Sequence, residues 1–309
     1  MDTRDLLDRL ADGSTVSGEA LAEEFDVSRN AVWKHVERLR ESGFEVASGS
    51  DGYHLEAVPE YGGFALAHHL DAARIGRDVD YREEVDSTNA VAQEAAREGA
   101  REGTVVLADR QTAGSGRRGR VWDSPSGGLW MSLVLRPELS PRRASVITLA
   151  ASVAVARALE DLGLDPSIKW PNDVLLGDAK VCGILVELQA DAEAIDHAVV
   201  GIGLNANAAP DVPDADVTSV REALGEPVNR AALAARILEH FEALYTDSAT
   251  AVLDQWRKRS STIGRDVRVT LPDETIEGEA VGVDDTGALR VATADGERVV
   301  AAGDCEHLR

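Results

Sequence analysis

The stretch Lys169-Trp170-Pro171-Asn172-Asp173-Val174-Leu175-Leu176-Gly177-Asp178-Ala179-Lys180-Val181-Cys182-Gly183-Ile184-Leu185-Val186-Glu187 holds two of only four lysines in a chain of 309 residues that carries 28 arginines. Arginine supplies nearly every other cation, so two lysines at this spacing point to a need for a compact ammonium rather than a planar guanidinium fork. The chemistry is expected here. Ile168–Trp170 and Gly183–Leu188 read as strands on either side of a short apolar and turn segment.

Working outward, residues 66 to about 258 alternate strand and helix patterns. Thr104–Ala108, Leu129–Leu135 and Ala198–Ile202 read as further strands, and Ala90–Glu98, Ser145–Leu162 and Ala231–Tyr245 as helices. The pattern predicts a catalytic-sized domain over 66–260 and an α+β class for the chain. From Gly264 the pattern changes to short alternating strands with Gly- and Asp-rich turns: Val267–Leu271, Glu277–Val283, Leu289–Thr293 and Arg298–Ala301. A small β-barrel domain over 262–309 fits.

Upstream, Pro59 through Gly63 punctuates the chain and closes a helical domain over 1–60. Leu6, Leu7 and Leu10 sit at helical spacing, Ser17 caps a second helix, and Ser28 caps a third from Arg29 to Arg40. Two short helices joined by a tight turn form a helix-turn-helix, and the hairpin pattern across Phe44–Leu55 makes it winged. Residues 1–58 carry 13 acids and six bases, yet 28–40 holds Arg29, Lys34, Arg38 and Arg40 against Glu37 alone. A positive helix in a negative domain suits the major groove, with Ser28, Arg29, Asn30, Trp33 and Lys34 as the DNA-facing candidates.

The formal net charge is −23. Acids spread along the whole chain, with lysine scarce, read as a solvated surface tuned to high salt rather than as a tail for a basic partner. No apolar run is long enough to span a membrane, and the N-terminus lacks the order of a signal peptide. Cys182 and Cys305 fit neither a disulfide framework nor a metal motif, so a reducing cytoplasm is expected.

A second motif is Gln111-Thr112-Ala113-Gly114-Ser115-Gly116-Arg117-Arg118-Gly119-Arg120. Gly114, Gly116 and Gly119 mimic a dinucleotide fingerprint, but Val121-Trp122-Asp123-Ser124-Pro125 cannot open the required helix. Arg120-Val121 stands where a Walker A loop needs Lys-Ser/Thr. What remains is a glycine-rich loop with three arginines, suited to phosphate or carboxylate. Like charges repel and nothing apolar pins the loop, so it is expected to lack fixed order when empty.

Asp86-Ser87-Thr88-Asn89, the Gly114–Arg120 loop, Lys169–Asp173, Lys180–Glu187 and Gly201-Ile202-Gly203-Leu204-Asn205 occur in this order. Together with the leading helix-turn-helix they resemble the biotin–protein ligases, in the bifunctional form that is also the biotin operon repressor. The resemblance implies a mixed-sheet ligase domain, an SH3-like C-terminal barrel, and condensation of biotin with ATP and Mg²⁺ to biotinyl-5′-adenylate. It further implies transfer of biotin to a carboxyl carrier protein, operator DNA as partner, and a homodimer.

By the same resemblance, Lys180, Arg117 and Arg120 are catalytic. Ser87, Thr88, Asn89, Gln111, Gly114, Ser115, Gly116, Trp122, Gly183, Gly203 and Asn205 bind biotin or adenylate. Lys169, Asn172 and Asp173 support the ATP site, with Asp173 the acid for Mg²⁺. The bland readings are a helix cap at Ser87, a strand end at Lys169, a turn cap at Asn205 and a buried, inert thiol at Cys182. Two departures stand out: Ser115 replaces an arginine of the family's loop, and Asp51 sits in the wing where a lysine would favour phosphate. Lipoate–protein ligase and a biotin sensor without transfer are the competing readings.

Overall fold

The computed structural model describes residues 1–210 and 216–308. These form two compact units. The first comprises Met1–Asp71 with Asn229–Ala235, and the second Ala72–Val228 with Arg236–Arg309. The first unit therefore runs past residue 60 and takes in a short piece of what the sequence pattern assigned to 66–260.

In the first unit, α1 (Thr3–Leu10), α2 (Gly18–Glu24) and α3 (Arg29–Glu41) are followed by β1 (Glu45–Gly49), β2 (Gly52–Ala57) and α4 (Gly63–His69). The first three helices each start where a side-chain oxygen satisfies a free backbone N–H: Asp2, Ser17 and Ser28 accept from Asp5, Ala20 and Ala31. The apolar faces close one core, with Leu6, Leu10, Leu21, Val36 and Leu39 fully buried. β1 and β2 pair antiparallel around Ser50-Asp51, and Val16 bridges Tyr53 to seat the wing. Arg40, counted among the basic residues of α3, donates its guanidinium to the Val46 carbonyl and to Glu37 and Ser48, so it braces the wing.

The second unit begins with β3 (Val79–Val85), α5 (Thr88–Arg97), β4 (Val105–Gln111), β5 (Leu129–Leu135) and α6 (Ser145–Asp161). It continues with β6 (Pro166–Lys169), β7 (Asp173–Leu176), β8 (Ala179–Ala190), β9 (Ile195–Leu204), α7 (Val220–Leu224), α8 (Arg230–Tyr245, which starts in the first unit) and α9 (Ala249–Arg259). Seven strands form one sheet in the order β3-β4-β5-β9-β8-β7-β6. Only β3 and β4 run parallel, joined through α5, and the other neighbours are antiparallel.

β5, an interior strand with no polar alternation beyond Ser132, is buried throughout. α6 is apolar nearly all round and accordingly lies between the strands and α9. α5 packs Ala92 and Ala96 against Val106, Val134 and Val199. The parallel pair matters for function: the carboxyl ends of β3 and β4 release Ser87–Asn89 and the arginine loop side by side, the usual place for a ligand crevice.

The C-terminal part of this unit is a five-stranded antiparallel sheet in the order β13-β12-β11-β10-β14, from β10 (Asp266–Thr270), β11 (Thr275–Val283), β12 (Leu289–Thr293), β13 (Gly296–Val300) and β14 (Asp304–His307). Burial, reinforced by the charges of Lys169 and Arg265, pulls the His307 imidazole from 6.5 to about 4. The folded state thus binds fewer protons than the unfolded chain between these values, and stability falls as pH drops from about 6.5 to about 4. Unfolding midpoints should decline across that window, and His307→Gln should flatten the decline.

Candidate active site

Above the sheet, at the carboxyl ends of β3 and β4, lies a cleft of about 300 Å³. Its polar floor is a chain of hydrogen bonds. The Thr88 N–H and hydroxyl donate to Gln111 Oε1 at 2.8 and 3.0 Å, and Gln111 Nε2 donates to Ser124 Oγ at 2.7 Å. Ser132 Oγ, fully buried on β5, contacts Thr88 Oγ1 at 2.8 Å and Asn89 Oδ1 at 2.6 Å. Asn89 Nδ2 in turn donates to Glu187 Oε2 at 2.7 Å. Ser87 lines the cleft and also caps α5 by accepting from the Ala90 N–H, so its bland reading is realised as well.

Glycines make room for this arrangement. A Cβ on Gly201 would overlap Asn89 Oδ1, and one on Gly203 would lie 2.6 Å from Trp122 Nε1. A Cβ on Gly183 would likewise come within 3.2 Å of the Trp122 ring. The indole therefore lies directly over β8 and β9, forming an apolar wall, and its N–H is buried with no acceptor among the described residues. Such an orphaned donor is suited to a ligand oxygen.

Lys180 stands at the cleft with Nζ 2.6 Å from Asp173 Oδ1 and 4.7 Å from the Trp122 ring centroid. Asp173 orients the ammonium from one side and the indole face supports it from another. The Lys180 backbone is also held, since its N–H donates to the Asp216 carbonyl and its own carbonyl accepts from Thr218.

Ser115, Gly116, Arg117 and Arg120 line the cleft from the loop, and Asn172 lines it from the β6–β7 turn. Contrary to expectation, the loop is pinned. Arg118 and Arg120 both pair with Asp304, at 3.1 and 2.8 Å, and Arg117 donates to Asn172 Oδ1 and the Gly303 carbonyl. A carboxylate and two carbonyls of the C-terminal sheet, counting Thr270, offset the repulsion that the local sequence displays. Burial lowers the Arg117 guanidinium below its ordinary value; Asp304 opposes this and Arg120 adds to it.

Three expected residues do not line the cleft. Gly114 is a close-approach position, where a Cβ would overlap the Trp122 carbonyl. Lys169 ends β6 and its charge acts on Cys305 and His307 instead. Asn205 is buried, donating from Nδ2 to the Thr218 carbonyl and from its backbone to Val181, which matches its turn-capping reading. Cys182 is fully buried and its thiol is pushed far up by that burial, so it is inert. Ser124, Ser132 and Asp304 were missed. Glu187 was read only as the end of a motif.

α3 has one buried and one exposed face. Val32, Val36 and Leu39 are buried, while Arg29, Asn30, Lys34 and a Trp33 that is 49% exposed face outward.

Three family descriptions match: HTH domain over 3–62, Biotin/lipoate A/B protein ligase family over 81–205, and Biotin protein ligase C terminal domain over 262–308. The bifunctional ligase/repressor BirA of Bacillus subtilis is 38% identical, over 94% of this chain and 93% of its own. That of Escherichia coli is 34% identical, over 92% and 90%. The solved biotin protein ligase from Aquifex aeolicus in complex with biotin and ATP matches at a TM-score of 0.66 and 29% identity, covering 75% of this chain and 99% of that one. The similarity runs through all three matched regions and nearly the whole length, and the chain belongs to the biotin–protein ligase family, in the bifunctional ligase/repressor form with an N-terminal helix-turn-helix domain.

Proposed function

We propose that this protein condenses biotin with ATP to biotinyl-5′-AMP, passes the biotinyl group to a lysine of a carboxylase carrier domain, and represses transcription with the adenylate as corepressor. The observation that carries the enzymatic part is the Lys180 ammonium, fixed by Asp173 and Trp122 on a cleft whose mouth bears Arg117 and Arg120. A carboxylate attacking a phosphate meets charge repulsion, and a preorganised cation touching both lowers that barrier. Arg117 and Arg120 steady the α-phosphate as charge spreads over it. Trp122 and the glycine-lined strands β8 and β9 take the apolar part of biotin, and the Thr88–Gln111–Asn89 network holds the polar ring. In the second half-reaction the carrier amine attacks the acyl carbon and AMP leaves with the bonding electron pair.

Magnesium is expected to arrive with the phosphates of ATP. Asp173 already faces Lys180, and the described residues include no group of three His, Cys, Asp or Glu able to cage an ion. The fit to a protein-held metal is therefore poor.

The decisive experiment is single-turnover adenylation in high KCl with ATP and Mg²⁺, offering biotin, lipoate or octanoate in parallel. Biotinyl-AMP that discharges onto a carrier domain is expected. Turnover of lipoate alone would move the protein to the sister activity, and biotin binding without turnover would leave a sensor.

For repression, Arg29, Asn30, Trp33 and Lys34 present the contact face to the major groove of a paired operator, read by a homodimer. A surface of net charge −23 repels DNA at long range, which puts more weight on these few contacts. Footprinting across a KCl series should show the Arg29→Ala, Lys34→Ala double variant weaker. Its log–log salt slope should be shallower by about 2, one unit per lost phosphate contact, with adenylation unchanged. Unaltered protection would remove α3 from the interface.

A further inference from the structure

In the floor of the cleft, Gln111 Oε1, Thr88 Oγ1, Ser132 Oγ and Asn89 Oδ1 form a row of oxygens spaced 3.0, 2.8 and 2.6 Å apart. Each of these contacts needs a proton. Gln111 turns Oε1 into the row, because the Thr88 backbone N–H donates to it and Gln111 Nε2 donates to Ser124, whose own proton goes to the Trp122 carbonyl. Asn89 turns Oδ1 into the row, because its Nδ2 faces the Glu187 carboxylate at 2.7 Å and the Leu185 carbonyl at 3.4 Å, both of which only accept. Both ends are therefore acceptors, and the three contacts share only the hydroxyl protons of Thr88 and Ser132. Thr88 donates to Gln111 and Ser132 to Asn89, which leaves the contact between the two hydroxyls without a proton. Ser132 is fully buried, so the deficit lies away from solvent.

We propose that Glu187 is a positioning residue: by fixing the Asn89 amide it keeps this row one proton short, and the cleft then selects a ligand that brings an N–H donor. The inference rests on reading the cleft as the biotin site. A ring N–H that donates to Gln111 Oε1 frees the Thr88 hydroxyl to turn toward Ser132, and the row closes. A ring without N–H groups, such as a dithiolane, leaves the deficit in place. Glu187 is not among the described residues that line the cleft, so it acts through Asn89 and Ser132 rather than on the ligand. With the Asn89 amide turned over, Nδ2 would donate to Ser132, Ser132 to Thr88 and Thr88 to Gln111. Every contact would then be made in the empty protein, and a donor from the ligand would gain nothing further in the row.

The test compares Glu187→Gln and Glu187→Lys in the full chain. A glutamine still offers an oxygen to Asn89 Nδ2. An ammonium offers only donors, to Asn89 and to the Leu185 carbonyl, and turns the amide over. Glu187 is exposed, so both variants should fold. Calorimetry gives the Kd for biotin and for biotin methylated on each ring nitrogen in turn, and urea unfolding is recorded without ligand. Glu187→Gln should hold the wild-type values. Glu187→Lys should weaken biotin at least about tenfold, the scale of one buried hydrogen bond, and should narrow its advantage over the methylated probes by a similar factor. Its unfolding midpoint should match or exceed that of the wild type. Unchanged affinity and discrimination in Glu187→Lys would overturn the role. So would a lower midpoint in that variant, the mark of a merely structural contact. The unfolding arm needs no ligand, so a wild-type protein that failed to bind biotin would sink the proposed function and leave the positioning role to be decided by the midpoints.

Discussion

Replacing Lys180 by alanine should lower single-turnover formation of biotinyl-AMP by on the order of 10³-fold, the upper range for one preorganised donor at a charged transition state. The Nζ atom is the only lysine ammonium on the described cleft, and Asp173 at 2.6 Å fixes where it points. Asp173 loses its partner in the variant, so unfolding midpoints must be recorded with the rates to separate chemistry from stability. Lys180→Arg is the sharper control. A guanidinium keeps the charge but is planar and longer, and it cannot place one compact cation between the carboxylate and phosphate. It should recover stability and little of the rate. Normal adenylation by Lys180→Ala would refute the assignment outright.

The second large effect is expected at a residue with no side chain. Gly201→Val places a Cβ into Asn89 Oδ1, and Asn89 cannot step aside without breaking its 2.6 Å contact with Ser132 and its 2.7 Å bond to Glu187. Moving Asn89 shifts the N-terminus of α5 and with it Thr88, the partner of Gln111. Biotin affinity should fall by about a hundredfold or more, and stability by about 1–3 kcal/mol from overpacking. Pairing Gly201→Ala with Asn89→Ala relieves the overlap, so that double variant should regain stability without regaining affinity. Calorimetry with biotin and urea unfolding separate the two quantities. Native biotin affinity in Gly201→Val would show that this floor does not shape the pocket.

The parts legible in the sequence were those with a strong local signal. β5 and β12 fall on the expected residues, and α5, α6 and α8 within two residues of theirs, because long apolar patterns mark them and Ser87 caps α5. β3 was not legible: Asp80, Arg82, Glu83 and Glu84 hide an edge strand whose exposed side chains follow no apolar alternation. β7 was hidden in a four-residue hairpin arm, and α9 and β14 carried no clear pattern.

Within the site, Lys180, Trp122 and the Ser87–Asn89 run were readable as motifs. Ser132 and Asp304 were not. Ser132 is one hydroxyl in an apolar strand, and Asp304 lies more than 180 residues from the arginines it holds. Pairings of that kind arise from tertiary folding alone. The same distance hides the loop's anchor from its local sequence.

The bond between the loop and Asp304 bears on how such chains can be built from parts. Gly303 just before β14, Asp304 at its start and the last residue of β10 supply every C-terminal partner recorded for Arg117, Arg118 and Arg120. The small terminal sheet is therefore not an appendage that recombination can trade freely between relatives. A hybrid that joined this sheet to a foreign C-terminus lacking an acid at that register would inherit every side chain of the cleft and lose the scaffold that aims the three loop arginines, so the two regions are constrained to descend together.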